Sequence, residues 1–555
     1  MEKRSIYGKT AIIARPEGER PWKRSLRLSM AFLLCVSVLL YVFVADSCIA
    51  ARAAGMTDIR VGLADLYKDK SGITVYNDSI IMGFCENNKY NGEIEFHSVN
   101  GFTFSVDKGS YLRENNYYTT FTNAQNTCNI YATGGADATA VYAGPGKWLC
   151  YVTSASYNAF SNGAFADNAK DFEKIPSSGS LIRVIGGDIH FLIEGGDFGG
   201  FPQIRAASAT DGIYSVSLGT RAYRGRIEIG RYNGANTLTA VNILNIESYL
   251  LGVVTCEMNS TWGMEALKAQ ACCSRSYAYV RAGFGADSSL KNPYKIVDTT
   301  ASQVYRGVTG ETKEAYTAVS STLGQVVSAG GKAVDAFYFS TSGGATDSIM
   351  DVWGIGSNVY TGVFDFFEKI PEKKPWVIDF SVSSASQKLA DAGYGVGKIE
   401  SVTPLINTQS GRIYSARVKG SEGSKTITGS KLKSIFGLPD TKCRIIDSGS
   451  HADIVAIKGA KRNVQEYLRD CYAISADGTV KLSQSAGQYI LITDGNLFNV
   501  PRSLPDSGTI RFVGMGWGHG IGMSQSGARG MADAGYSYDQ IIAFYYNKAE
   551  VKSFW

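Results

Sequence analysis

The sequence has almost no net charge outside its first residues, no cysteine framework, and only four histidines in 555 residues. Each shortage excludes something. Lys plus Arg is 55 and Asp plus Glu is 50, a formal net charge of +5. Residues 1–27 hold eight basic residues against Glu2, Glu17 and Glu19, so the remainder carries 47 of each sign and is neutral. A main body that binds nucleic acid normally shows a basic footprint, and net charge supports none here. The ten cysteines are scattered without CxxC spacing, and Cys272 and Cys273 are adjacent, which strains a mutual disulfide. They read as buried free thiols, and no zinc ligand set follows from their spacing. No GxxxxGK[ST] segment or strand-linked GxGxxG turn occurs, so the glycine-rich stretches are not phosphate cradles.

An apolar content of 44% is ample for buried cores and rules out disorder as the main state. The length suggests three or four domains, or two large ones. Lys23, Arg24 and Arg27 precede an uncharged run from Leu28 to Val44. Its 17 residues are at the short edge of what crosses about 30 Å of hydrocarbon. Basic residues ahead of the run keep that end in the cytoplasm. We therefore expect a cytoplasmic basic tail at 1–27 and a transmembrane anchor or signal segment at 28–45. Small residues near Ala50 and Ala53 offer cleavage sites for the second reading. Either way the residues from about 46 onward are expected outside the cytoplasmic membrane.

Residues 57–205 read as an α+β region of short strands, among them Ile59–Leu63, Ile73–Tyr76, Phe102–Val106 and Val141–Tyr142. Trp148–Thr153 reads as a strand and Gly163–Phe172 as a helix after it. This unit, near 146–175, resembles the SPOR modules that bind glycan strands; an ordinary α+β domain is the other reading. From about 206 the pattern sharpens. Tyr223–Ile229 alternates as a strand should. Ile246, Tyr249, Leu250, Val253 and Val254 recur at helical spacing. Glu257 follows about 20° from Ile246 around the same helix, which places a carboxylate on an apolar stripe. A second helix follows Ser260 or Thr261, with Glu265 in its first turn and the small apolar row Ala266, Leu267, Ala269, Ala271 and Cys272. Arg275 lies on it. If Glu257 is buried, desolvation raises its pKa and lets it carry a proton near neutral pH. If its helix ends first, the carboxylate is simply solvated.

Taken in order, these segments resemble the SpoIID and amidase-enhancer LytB family. The resemblance is carried by Tyr223-Arg224-Gly225, Tyr249-Leu250, Gly252-Val253-Val254, Glu257-Met258, Glu265 to Gln270, and Arg275 with Tyr277. It continues through DTTASQVY (Asp298–Tyr305), STSGGATDS (Ser340–Ser348) with Trp353, SGR (Ser410–Arg412), Gly437-Leu438, GWGHGIGMSQSGARGMADAG (Gly516–Gly535) and Tyr545-Tyr546. It implies an α+β SpoIID-like domain over 206–555, with a β-rich segment inserted at 377–470. It also implies a membrane-anchored lytic transglycosylase that cuts peptidoglycan strands lacking stem peptides during engulfment or cortex remodelling. The catalytic glutamate of the family maps onto Glu257. The implied surroundings are a cell-wall amidase and the membrane proteins of an engulfment complex. A non-catalytic amidase enhancer and a structural scaffold are the competing readings.

Around Glu257 we expect substrate contacts from Arg275, His519, Ser524, Gln525, Tyr249, Trp262, Gly343 and Gly344. Arg275 divides between holding a sugar substituent and serving as scaffold. His519, flanked by Gly518 and Gly520, divides between site and backbone support. Tyr249 and Trp262 are read as sugar-stacking rings or as core. Ser537-Tyr538-Asp539-Gln540 reads as the capping box of a last helix. Two departures from the family stand out. Asn259 takes the place of a proline after the EM pair. Some members bind zinc through His and Cys near the GG-T segment, but Phe337 to Ser342 contains neither, so no cofactor or metal is expected.

Overall fold

The computed structural model of the chain describes residues 58–86, 89–161, 172–174, 181–195, 201–282, 293–368, 375–447 and 508–555. It also gives the backbone strands Tyr472–Ser475, Gly478–Lys481, Gln488–Thr493 and Asn496–Pro501. The chain divides into Met1–Gly55 and Met56–Trp555, and the description concerns the second unit. The basic tail and the uncharged run at 28–45 lie outside the described residues. No described helix is long and apolar enough to cross a membrane.

The architecture mixes helices with strands that are mostly antiparallel. A seven-stranded sheet runs in the order Ile296–Val297, Ile59–Gly62, Thr239–Leu244, Arg226–Gly230, Gln203–Ala206, Ser79–Glu86, Lys89–His97. Gln203–Ala206 pairs with Ser79–Glu86 on one side and Arg226–Gly230 on the other. Ile59–Gly62 pairs with Thr239–Leu244. The boundary expected at 205/206 therefore falls inside one sheet. Alternation marks each strand in the sequence, but it carries no record of which distant strand supplies the pairing edge.

The second sheet has eight strands, including Ala138–Gly144, Lys147–Thr153 and Phe172–Lys174. The helix Phe121–Thr133 covers it, and Phe96, Phe121, Trp148 and Phe191 fill the space beneath with ring contacts of 5.0 to 5.8 Å. The strand expected at Trp148–Thr153 is present. A helix follows it at once, at Ser154–Ser161. The helix expected at 163–172 falls mostly on residues outside the description.

One apolar stripe predicted a single helix from Ile246 to Glu257. Two form instead, Ile246–Leu251 and Val254–Glu257. The break is at Gly252, where a Cβ would stand 2.7 Å from the Gly307 carbonyl oxygen and from the Tyr305 ring. That contact holds Gly252 against a neighbouring loop and re-aims the next turn, which ends at Glu257. The long helix Met264–Ala282 packs behind both through Ala266, Ala269, Ala271 and Cys272, all fully buried. The 377–470 insertion is β-rich where described, but it also contains the helices Val382–Asp391 and Gly429–Phe436. Its core joins Leu389, Val418, Leu432 and Phe436 to Ile510 and Phe512 of the strand Thr509–Gly514. That strand runs directly into the glycine-rich loop of His519, so the insertion anchors the loop.

Arg275 belongs to this scaffold, not to a sugar site. It is fully buried, and its guanidinium grips the carboxylate of Glu247 through two bonds of 2.8 and 2.7 Å. It also donates to the Gln325 carbonyl at 2.9 Å. No surface remains for a ligand. Removing one partner strands the other charge in the core. Arg275→Ala is expected to destabilise the protein by about 3–5 kcal/mol, and Arg275→Met with Glu247→Leu to recover most of that loss. Thermal unfolding checks this. An Arg275→Ala melting temperature equal to wild type would refute the scaffold assignment.

Candidate active site

Glu257 ends its short helix, and the chain turns extended at Met258. The residue as a whole is half-buried, and its carboxyl group lies deep. The Val304 amide donates to Glu257 Oε1 at 2.5 Å. The Tyr338 hydroxyl and the Gln525 amide also donate to the carboxylate. Burial is the largest influence and pushes the group up to about 7, while the three donors pull it back. Among the described residues the groups that bias its proton include no second carboxylate.

Tyr338 and Gln525 are far apart in sequence. They meet because Tyr338–Phe339 pairs in parallel with Met523–Ser524. Their orientation is fixed from behind. Gln303 Nε2 donates to the Tyr338 oxygen at 2.9 Å, which leaves the Tyr338 proton directed at Glu257. Gln303 Oε1 in turn accepts from the Tyr249 hydroxyl at 3.2 Å. Gln525 Nε2 lies 3.3 Å from Gln270 Oε1, and Gln270 Nε2 donates to Ser274 Oγ at 2.9 Å. Glu257 thus faces a fixed set of dipoles.

The remaining expected contacts divide. Tyr249 is fully buried, its ring tilted against Tyr305 at 4.8 Å, and serves the network through its hydroxyl; it offers no face to a sugar. Ser524 is fully buried, and its Oγ caps the helix Gln525–Asp533 by accepting from the Gly527 amide. Gln525 is in the site, but it faces Glu257 and is almost wholly buried. Trp262 keeps part of its surface, with the Arg529 guanidinium 5.3 Å from the ring centroid.

His519 has both ring nitrogens committed to backbone. Nδ1 accepts from the Ile521 amide at 3.1 Å, so the proton sits on Nε2, which bonds the backbone of Tyr338. Burial, helped by the Lys433 and Arg412 charges, holds the imidazole down at about 3 and therefore neutral. Phe337, Phe339 and Trp353 surround the ring. Its part is to hold the Tyr338 strand in place, not to contact a ligand through its nitrogens. Gly343 and Gly344 adopt positive φ of 64° and 97°. The Gly343 carbonyl accepts from Lys442 Nζ at 2.7 Å, and the Gly344 amide donates to Glu368 at 2.9 Å. These polar groups are spent on the loop itself.

Sequence reasoning missed Tyr338, Gln303, Val304 and Arg412. Gln303 and Val304 lie in DTTASQVY and Arg412 in SGR, segments that marked the family without revealing a role. Tyr338 lies in a stretch read only for its lack of His and Cys. Arg412 is fully buried between Asp347 and Asp440, at 3.1 and 2.9 Å, and also donates to the carbonyls of Ser342 and Ala345. At Gly520, with φ of 79°, a Cβ would lie 2.4 Å from that guanidinium. Only glycine lets the loop pass so close. Beside the GG-T segment the Ser342 hydroxyl is joined by the carboxylates of Asp365 and Glu368, with no His or Cys, and among the described residues no three His, Cys, Asp or Glu side chains gather to hold a metal ion. The residues present do not fit zinc, and no step is drawn through it.

Comparison with known proteins agrees with the motifs. Residues 234–328 match the family model SpoIID, described as Stage II sporulation protein. The chain is 27% identical to an uncharacterised protein of Brachyspira hyodysenteriae, over 59% of this chain and 72% of that protein. It is 26% identical to the amidase enhancer of Bacillus subtilis, over 61% of this chain and 45% of that protein. It is 27% identical to the stage II sporulation protein D of Bacillus subtilis, over 59% of this chain and 79% of that protein. The chain thus spans under half the length of the amidase enhancer.

The raised proton affinity of Glu257 has a thermodynamic consequence with a definite sign. A carboxyl that binds its proton more tightly folded than unfolded stabilises the fold at low pH. It loses that contribution as pH rises from about 4.3, its unfolded value, through about 7. Glu257→Gln removes the charged form. It is expected to leave stability near pH 4 unchanged and to raise it by about 1–3 kcal/mol at pH 8. Melting temperatures of both proteins across this range test the point, and a variant less stable than wild type at pH 8 would contradict it.

Proposed function

We propose, from its place in the SpoIID/LytB family, that this cell-wall protein is a lytic transglycosylase acting on glycan strands without stem peptides. We further propose that it works in sporulation, during engulfment or cortex remodelling, and that it is held in the cytoplasmic membrane by residues 28–45 with its main body outside. An amidase and membrane proteins of an engulfment complex are its proposed neighbours. The observation that carries the reading is the buried carboxyl of Glu257, with a pKa of about 7 and three donors aimed at it.

The chemistry needs only that group. Protonated Glu257 gives its proton to the glycosidic oxygen as the bond to C1 breaks. Its carboxylate, now held by the Val304 amide, the Tyr338 hydroxyl and the Gln525 amide, is at its most stable as positive charge develops on the sugar. It then takes the proton of the muramic acid C6 hydroxyl as that oxygen closes on C1, giving a 1,6-anhydro sugar and restoring the acid. A hydrolase normally sets a second carboxylate across the bond to activate water. Among the described residues the groups that bias the Glu257 proton include no carboxylate, and intramolecular attack by the sugar's own hydroxyl needs none. A pKa near the working pH serves both directions of transfer.

A second reading is favoured by the similarity to an amidase enhancer: the chain binds glycan and stimulates a separate amidase. Purified full-length protein incubated with amidase-treated peptidoglycan separates the two. The enzyme reading expects 1,6-anhydro products and a loss of about 10²–10⁴-fold in their rate of release for Glu257→Gln. Unchanged glycan with faster cleavage by an added amidase would establish the enhancer instead. The pH profile supplies a finer check. The donor form of Glu257 is lost above about 7, so the rate is expected to fall tenfold per pH unit on the alkaline side. Tyr338→Phe removes a hydrogen bond that favours the carboxylate. It should shift this limb upward by about half to one unit, and a downward shift would refute the assigned direction of that bond.

A further inference from the structure

Cys128 and Cys150 were read from the sequence as unrelated buried thiols. The fold brings them together. Cys128 lies on the inner face of the helix Phe121–Thr133, and Cys150 in the middle of the strand Lys147–Thr153 beneath it. Their sulfurs are 2.8 Å apart. Uncharged atoms of that size rest at about 3.5–4.0 Å or more, so two thiols cannot comfortably occupy these positions. Both side chains are at most 1% exposed, and no water or third ligand fits between them. The structure shows all six cysteines whose side chains are described as free thiols, Cys128 and Cys150 included; Cys273, by contrast with this pair, touches Met523 and the Tyr546 hydroxyl.

We propose that Cys128 and Cys150 form a structural disulfide that staples the helix to the eight-stranded sheet. The bond is made by exchange with a small or protein disulfide. The Cys128 thiolate attacks one sulfur of the donor and expels the other as a thiol. The Cys150 thiolate then attacks the mixed disulfide and expels the second donor thiol. Two protein thiols are oxidised, one donor disulfide is reduced to two thiols, and two protons leave the protein. Persistence of the bond in the cell rests on the proposed location outside the cytoplasmic membrane, where disulfides survive. In the folded protein the pair is inaccessible, and its contact with Cys128, together with burial, keeps the Cys150 thiol protonated. Exchange therefore takes place during folding, before the helix docks.

The test refolds the denatured full-length chain with oxidised and reduced glutathione, then blocks free thiols and digests with trypsin. Trypsin cuts after Lys147 and so places the two cysteines on separate peptides. The expected result is a linked Cys128–Cys150 peptide lighter by two hydrogens than the sum of its parts, and a melting temperature that drops by several degrees when the unfolded chain is refolded with reductant. The Cys128→Ser, Cys150→Ser double variant should melt at one temperature with or without reductant. Full alkylation of both cysteines after redox refolding, or their linkage to other cysteines, would overturn the proposal. The outcome does not depend on export, because refolding is done in vitro. Alkylation in cells tests export separately. A bond that forms in vitro from cysteines found reduced in the cell would sink the proposed location and leave the pairing intact.

Discussion

The structure turns on keeping a carboxyl group in two environments at once. Glu257 must be dry enough that its neutral form survives near neutral pH, yet it must be surrounded by donors that welcome the charge once the proton has gone. Burial alone would simply hold the group neutral, because a carboxylate left without partners in a dry site costs several kcal/mol. Donors alone would drive the proton off too early. The compromise at about 7 is a balance of these opposed terms, and it requires donors that do not rotate. That is the purpose of the glutamines. Gln303 and Gln270 each fix the direction of a hydrogen bond one step closer to Glu257.

Rigid dipoles need rigid backbones, and here buried ions supply the rigidity. Arg275 with Glu247 ties the helix Met264–Ala282 to Ile246–Leu251, immediately before the turn that aims Glu257. Arg412 with Asp347 and Asp440 clamps the glycine-rich loop from below, and the loop in turn places His519 against the Tyr338 strand. Neither pair needs to increase net stability. A buried ion pair roughly breaks even against well-packed apolar residues. Its effect is on which arrangement is possible, since a shifted register would strand a charge.

This division explains what the sequence makes visible. The amphipathic stripe from Ile246, with a carboxylate on it, was legible because burial patterns repeat at helical period. The ordered motifs carried the resemblance to the SpoIID family. What each motif residue does was not legible. Tyr249, Arg275, Ser524 and His519 are polar residues within recognisable motifs, the usual signature of a ligand site. All four prove to be spent on the scaffold. Tyr338, which reaches the carboxylate, sits between two phenylalanines where an aromatic strand position reads as core. Local pattern records whether a side chain is polar and which face it shares. It does not record whether its partner is a ligand or another part of the same chain.

The same reasoning accounts for the domain boundary. The strand Gln203–Ala206 pairs with an earlier strand, Ser79–Glu86, and a later one, Arg226–Gly230. The strands before residue 206 are therefore not an appendage that could be exchanged without consequence. Ile59–Gly62 lies against Thr239–Leu244, and that strand leads through Asn245 into the helix Ile246–Leu251 and so to Glu257. The turn that places Glu257 thus follows directly from a strand paired with residues near the start of the described chain, so the early sheet is part of the site's support and not a separate module.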